Sequence, residues 1–281
     1  MPLPADTAAR VAAKTMDERL LTEAAWLQKS LAGHDLVVVD VRIPELYQQG
    51  HIPGAVNIPT ALTFRQHGQT DRLGSVAYIE KLFGAAGIDR HSHVVLYDDG
   101  RLVDASRVFW IFEVYGHRHV AVLNGGYQGW IEQEYAVSVH PAERKPRRFV
   151  ASITPDKLAT RLHAYLAIKD PDRILIDARA KEEYRGKQSI TPRLGHIPTA
   201  MSIPWDENIV RDSGGLRSKT LRELENVYQK LSQDKKIITY CNKGRESSLT
   251  YFMLRRLGRD VAHYDGSWFE WGNMVDMPVE K

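Results

Sequence analysis

Two kinds of segment alternate along the chain. Short, nearly continuous apolar runs occur at 36–40, 94–97 and 119–123, and again at 173–177, 236–240 and 260–264. Runs of this length, rich in Val, Ile and Leu, predict buried strands. The stretches 104–115, 218–231 and 247–257 instead place apolar residues at helical spacing. Thr22 and Thr154 each precede a helical pattern, and Pro155 suits a first helical position. Alternation of this kind predicts an α/β fold, a parallel sheet with helices on both faces. Ligands of such sheets bind beyond the carboxyl ends of the strands.

The pattern also repeats. Asp40-Val41-Arg42 is followed by Gly50-His51-Ile52-Pro53-Gly54-Ala55, and Asp177-Ala178-Arg179 by Gly195-His196-Ile197-Pro198-Thr199-Ala200. The run 94–97 has its counterpart at 237–240, and Asn124-Gly125-Gly126-Tyr127 to Trp130 matches Asp265-Gly266-Ser267-Trp268 to Trp271. Four landmarks in one order with similar gaps predict two copies of one domain. The segment His140 to Arg148 is charged, holds two prolines and has no apolar period, which is linker composition. The expected organisation is a first domain over 15–139, a linker over 140–152 and a second domain over 153–281.

Length agrees, since 281 residues suit two domains at roughly 150 each. With 43% hydrophobic and 26% charged residues the chain is ordinary globular material. Apolar runs such as 36–39 are too short to span a membrane. The net charge of +3 gives no reason to expect a nucleic-acid partner. The first thirty residues carry Asp6, Asp17, Glu18 and Glu23, without a basic stretch leading into an apolar one. A cytoplasmic location is therefore expected, with the first dozen residues as a loosely held arm.

Cysteine changes the picture most, because there is only one, Cys241. Intramolecular disulfides and zinc sites built on several thiolates are excluded. Cys241 closes the run 237–240 and is followed by Asn242-Lys243-Gly244-Arg245-Glu246-Ser247 and then a helical pattern. It therefore sits at a strand end, in a short loop entering a helix. Loop and helix N–H groups can point at sulfur. With Lys243 and Arg245 nearby, the thiol pKa is expected to fall. A fall of two units would favour the thiolate by ~2.7 kcal/mol. These neighbours are not those of a core cysteine, so Cys241 reads as a working thiol. In the first repeat Asp98 stands at the matching place, within Asp98-Asp99-Gly100-Arg101. A carboxylate suits a nest of N–H groups but is a poor nucleophile toward sulfur, so the first domain keeps the scaffold without the chemistry.

These residues resemble the rhodanese family of sulfurtransferases over nearly the whole chain. Tyr47-x-x-x-His51-Ile52-Pro53-Gly54-Ala55-x-x-Ile58 is similar to the family's N-terminal fingerprint. Val261-x-x-Tyr264-Asp265-Gly266-Ser267-Trp268-x-Glu270-Trp271 is similar to its C-terminal one. The tandem arrangement, with a cysteine only in the second loop, resembles the two-domain thiosulfate and 3-mercaptopyruvate sulfurtransferases. The resemblance implies two tandem rhodanese-like domains, each a five-stranded parallel sheet flanked by helices. It implies that Cys241 attacks the outer sulfur of thiosulfate, releases sulfite and carries a persulfide to a second nucleophile. Two half-reactions of this kind imply ping-pong kinetics.

Lys243 and Arg245 are the expected ligands of the sulfonate, with Asn242, Gly244, Glu246 and Ser247 completing the loop. Arg179, Arg185 and Arg193 are the candidates for the arginines that mercaptopyruvate enzymes use, and Glu183 stands where one of them would align. A basic Lys243 favours thiosulfate as donor, with 3-mercaptopyruvate as the alternative. Arg245 comes one place earlier than in many members, where Glu246 takes the later position and could pair with Arg245 or cap the helix. A non-catalytic sulfur relay is the alternative of another class. A cysteine phosphatase is disfavoured, because its Cys-x5-Arg loop would put arginine where Ser247 stands. The expected partners are a small-molecule sulfur donor and a cyanide or thiol acceptor. A protein acceptor remains open, and the chain is expected to be a monomer without metal or organic cofactor.

Other candidates read as structural. His51 and His196 recur in both halves, only one of which has a thiol, and are expected to brace their turns. His91/His93 and His117/His119 have ligand-like spacing but no carboxylate cluster or second thiol nearby, so exposed loop histidines are expected. Asp40 and Asp177 are expected to bind loop N–H groups, with Arg42 and Arg179 paired to nearby acids. Trp268 and Trp271 are expected at a domain interface.

Overall fold

A computed structural model describes residues 17, 19–64, 72–212 and 215–281. The arm expected over the first dozen residues lies outside them. The chain forms two compact bodies. One holds Leu21–Pro155 together with Ile209–Ser218, and the other holds Asp156–Asn208 and Lys219–Lys281.

In the first body the elements run β1 Leu21–Thr22, α1 Ala24–Ser30, β2 Leu36–Asp40, α2 Pro44–Gln49, β3 Val56–Asn57, α3 Val76–Ala85, β4 His93–Tyr97, α4 Val103–Val114, β5 Val120–Leu123 and α5 Gly126–Glu132. The sheet order is β1-β5-β4-β2-β3, with every pairing parallel. The second body runs β6 Leu158–Ala159, α6 Arg161–Ala167, β7 Arg173–Asp177, α7 Lys181–Tyr184 and β8 Met201–Ser202. After the hairpin β9 Ile209–Asp212 and β10 Gly215–Ser218 come α8 Leu221–Val227, β11 Lys236–Tyr240, α9 Glu246–Arg256, β12 Val261–Tyr264 and α10 Ser267–Trp271. Its sheet, β6-β12-β11-β7-β8, is again wholly parallel. Each domain is thus a five-stranded parallel sheet flanked by helices. The apolar runs are its central strands, and β2 is buried at all five positions, as sheets covered on both faces require.

Differences from the sequence pattern have local causes. Thr22 ends β1, and Glu23 precedes α1. Thr154 precedes only the single 3-10 turn Pro155–Lys157, and Thr160 caps the following helix, its Oγ1 accepting from the His163 N–H at 3.4 Å. The pattern at 218–231 begins late because Ser218 pairs with Ile209 in the antiparallel hairpin, leaving Thr220 to cap α8. That hairpin groups with the first body: the Ser218 N–H donates to Asn124 Oδ1 at 3.1 Å, and Arg217 lies 3.8 Å from Glu132.

The charged segment 140–148 is mostly exposed and is strapped to the first body. The Ala142 N–H donates to the Tyr47 hydroxyl, and Arg144 Nη2 donates to the Leu36 carbonyl at 2.7 Å. Arg147 bonds the Gly84 carbonyl through its N–H and Asp89 through its side chain. Two bases of the segment are thereby committed to structure.

The duplicated motif proves to be a duplicated clasp. Arg42 donates to both Asp40 oxygens and to the Gly50 carbonyl, and Arg179 does the same with Asp177 and Gly195. Tyr47 donates to the Ala55 carbonyl and Tyr184 to the Ala200 carbonyl, each at 2.8 Å. His51 and His196 stack on those tyrosines and bond their carbonyls through Nδ1, so both brace the turn. Asp40 and Asp177 each accept the N–H two residues on.

Two expectations change. Trp268 and Trp271 lie inside the second body's own core, fully buried beside Tyr240 and Tyr264. Their indole N–H groups donate to Ser189 Oγ and the Pro278 carbonyl. His91 and His119 are exposed, but His93 is half-buried in β4 and His117 is buried against Phe112 and Phe149. Desolvation holds both of these below the ordinary histidine pKa.

Candidate active site

Cys241 follows β11 directly and lies beyond the carboxyl end of a central strand, where parallel sheets present ligands. The loop runs to Arg245, and α9 begins at Glu246. Gly244 takes a φ of 86°, a region costly for residues with a Cβ, and its N–H donates to Cys241 Sγ at 3.1 Å. The Ser247 hydroxyl and N–H also favour the thiolate. The same hydroxyl lies 2.9 Å from His263 Nε2 on β12.

The loop is braced from the turn after β12. The Trp268 and Phe269 N–H groups donate to the carbonyls of Cys241 and Asn242. Ser267 Oγ accepts from the Cys241 N–H at 3.3 Å and donates to the Tyr264 carbonyl. Ser267 has a φ of 50°, an uncommon conformation for a non-glycine residue. The matching residue of the first repeat is Gly126, with a φ of 54°.

The electrostatics overturn the sequence expectation for the thiol. Cys241 is 1% exposed, and its pKa is pushed up to about 12. Burial is the largest cause, and the Glu246 carboxylate is the next. The Cys241 thiol donates to Glu246 Oε2 at 3.2 Å. Relative to an ordinary thiol, the thiolate is disfavoured by about 4 kcal/mol. Lys243 offsets little of this, because it is exposed and its Nζ lies 5.4 Å from the centre of the Phe269 ring. The order of Arg and Glu in the loop puts the Glu246 carboxylate beside the sulfur.

The remaining candidates separate clearly. Arg245 is half-buried at the residue preceding α9, and Arg185 is exposed after α7. Arg179 is 1% exposed and committed to Asp177 and Gly195, with its guanidinium 4.3 Å from the Trp268 ring centre. Its charge is thereby neutralised by Asp177 in the core, while Nη1 is buried without a hydrogen-bond partner among the described residues. Arg193 clasps the carbonyls of Met274 and Met277. Asn242 Nδ2 donates to Glu183 Oε1 at 2.7 Å, so Glu183 faces the loop as a carboxylate where an arginine would align. Sequence reasoning found the loop but missed the bracing by Ser267 and the Glu183 contact, both of which join distant segments. Among the described residues, no group of three or more His, Cys, Asp or Glu is placed to hold a metal ion. Nor is any helix long and apolar enough to cross a membrane.

The first body carries the same nest with a different occupant. Asp98 Oδ1 accepts from the N–H groups of Gly100 and Leu102, and Oδ2 from those of Asp104 and Ala105. Even with four donors, burial raises its pKa to about 6.

Comparison with known proteins agrees with this duplicated architecture. The rhodanese-like domain family matches twice, at residues 23–133 and 155–274. A Mycobacterium bovis protein provisionally named thiosulfate sulfurtransferase SseA is 36% identical over 99% of this chain and 96% of its own length. The sulfur carrier protein TtuD of Thermus thermophilus is 32% identical over 93% of this chain and 96% of its own. The crystal structure of SseA from Escherichia coli, described as a 3-mercaptopyruvate sulfotransferase, superposes with a TM-score of 0.79 at 27% identity. It covers 88% of this chain and 98% of that one.

Proposed function

The chain belongs to the rhodanese family and is a sulfurtransferase, and from that premise we propose that thiosulfate is its sulfur donor and Cys241 its sulfur carrier. The observation that carries this reading is the placement of the lone cysteine at a strand end, with the Gly244 N–H and the Ser247 hydroxyl directed at its sulfur. The Cys241 thiolate attacks the outer sulfur of thiosulfate. The S–S bond to the sulfonate breaks, and its electron pair leaves with sulfite. Cys241 then holds a persulfide anion, which the same N–H and hydroxyl donors stabilise. A cyanide or thiol acceptor takes the terminal sulfur and regenerates the cysteine.

An exposed Lys243 at the loop supports an anionic donor, as does the name of the mycobacterial relative. The Escherichia coli structure supports 3-mercaptopyruvate as the second reading, and the Thermus relative supports a carrier role. We assign Asn242, Gly244, Arg245, Glu246 and Ser247 to the loop around the sulfur, and Arg185 to its surroundings. The test compares kcat/KM for thiosulfate and 3-mercaptopyruvate with cyanide as common acceptor. Thiosulfate should be preferred, and Cys241→Ser should abolish transfer while keeping the fold. A preference for 3-mercaptopyruvate overturns the donor assignment. A persulfide that forms once without steady turnover overturns the enzyme reading in favour of a carrier.

A further inference from the structure

A thiol held as a thiol must lose its proton before it can attack sulfur, and one group is in contact to receive it. Glu246 Oε2 lies 3.2 Å from Cys241 Sγ at the first position of α9. We propose that Glu246 is the proton acceptor for Cys241, so that the thiol and carboxylate of this contact share one proton throughout the catalytic cycle. The inference rests on Cys241 being the sulfur carrier.

The proton and charge balance closes. In the resting pair the proton is on sulfur and the charge on Glu246. Transfer gives a thiolate beside a neutral carboxyl. The thiolate attacks the outer sulfur of thiosulfate, forming the S–S bond of the persulfide, and sulfite departs with the electron pair of the broken bond. Glu246 keeps the proton and donates it toward the persulfide anion. When cyanide removes the terminal sulfur as thiocyanate, the restored thiolate takes the proton back. No proton is exchanged with solvent. A dianionic donor also meets one negative charge at the pair rather than two, which full deprotonation would impose.

The surrounding charges leave Glu246 in this role. Lys243 faces the Phe269 ring, and Glu183 is held by Asn242. Asp177 and Arg179 neutralise each other beside Tyr240. Arg245 precedes Glu246 in the loop, and Asp265 lies at the end of β12. His263 offers the competing route, through the Ser247 hydroxyl.

The experiment measures persulfide formation from thiosulfate in one turnover, read as the sulfite burst, between pH 6 and 8.5. In the unaltered protein the proton only moves within the pair, so the rate should change less than about threefold across this range. In Glu246→Gln the proton must leave to solvent, and the rate should rise about tenfold per pH unit until the thiol itself titrates. Glu246→Asp should restore a flat profile at a lower rate. A parent rate that itself climbs tenfold per pH unit overturns the inference, and this holds even if the Gln variant fails to fold. A Gln variant as flat as the parent also overturns it and assigns the proton to the Ser247–His263 route. Mass analysis of the Cys241 peptide separates the two readings. No added sulfur there overturns the carrier assignment and this inference with it, whereas added sulfur with the wrong pH profile overturns Glu246 alone.

Discussion

Replacing Arg179 by Ala tests whether this arginine holds the fold or the substrate. Its Nε lies 3.0 and 3.1 Å from the two Asp177 oxygens, and its Nη2 lies 2.6 Å from Oδ2 and 2.8 Å from the Gly195 carbonyl. Both side chains are 0% exposed. The substitution strands the Asp177 carboxylate and a carbonyl in the core and opens space against Trp268. Removing one partner of a buried, multiply bonded ion pair typically destabilises by about 3–5 kcal/mol. In a domain of this size that is a loss on the order of 10 °C in Tm. Urea denaturation followed by tryptophan fluorescence should show a lower midpoint with little change in slope. Asp177→Asn combined with Arg179→Met removes both charges and should recover part of the loss, since no lone buried charge remains. The KM for thiosulfate, measured well below the new Tm, should stay within about twofold, a change worth under 1 kcal/mol. Stability near that of the parent together with a KM raised tenfold or more would refute the reasoning and return Arg179 to the substrate.

Lys243→Ala should raise the KM for thiosulfate severalfold, with the difference shrinking as salt is added. The ammonium is exposed and acts as a screened charge at the loop. Initial-rate kinetics at two ionic strengths check this, and an equal effect on attack by the acceptor would contradict it. Asp98→Asn should remove a pH dependence of stability. The folded chain, with Asp98 at about 6, retains a proton that the unfolded chain releases at lower pH. Stability from this group is therefore present below the ordinary aspartate range and lost as pH rises through about 6. The stability of the parent relative to the variant should fall by about 2 kcal/mol between pH 4 and 6.5. Denaturation midpoints at several pH values measure it, and a constant difference would rule it out.

The sequence alone determined the architecture because its signals are local. Buried strands of a doubly covered parallel sheet must be continuous apolar runs, and those at 36–40, 173–177 and 236–240 became central strands residue for residue. The duplicated motifs announced two copies, and the single cysteine had an address at a strand end. Helix starts were less legible: the pattern places Thr22 before a helix, but pairing with Leu123 draws it into β1, and the cap falls at Thr160 instead of Thr154. Tertiary structure decided the charge state of the site. Cys241 sits among loop N–H groups as its neighbours suggested, but desolvation and the Glu246 carboxylate outweigh them. That Glu246 meets the sulfur depends on where the loop ends and α9 begins, since a one-residue step around a helix turns a side chain by about 100°. The pairing of Arg179 with Asp177 was legible because the two lie two residues apart. The bond of Arg179 to the Gly195 carbonyl and the contact of Glu183 with Asn242 were hidden, because they join segments that meet only when the sheet is assembled.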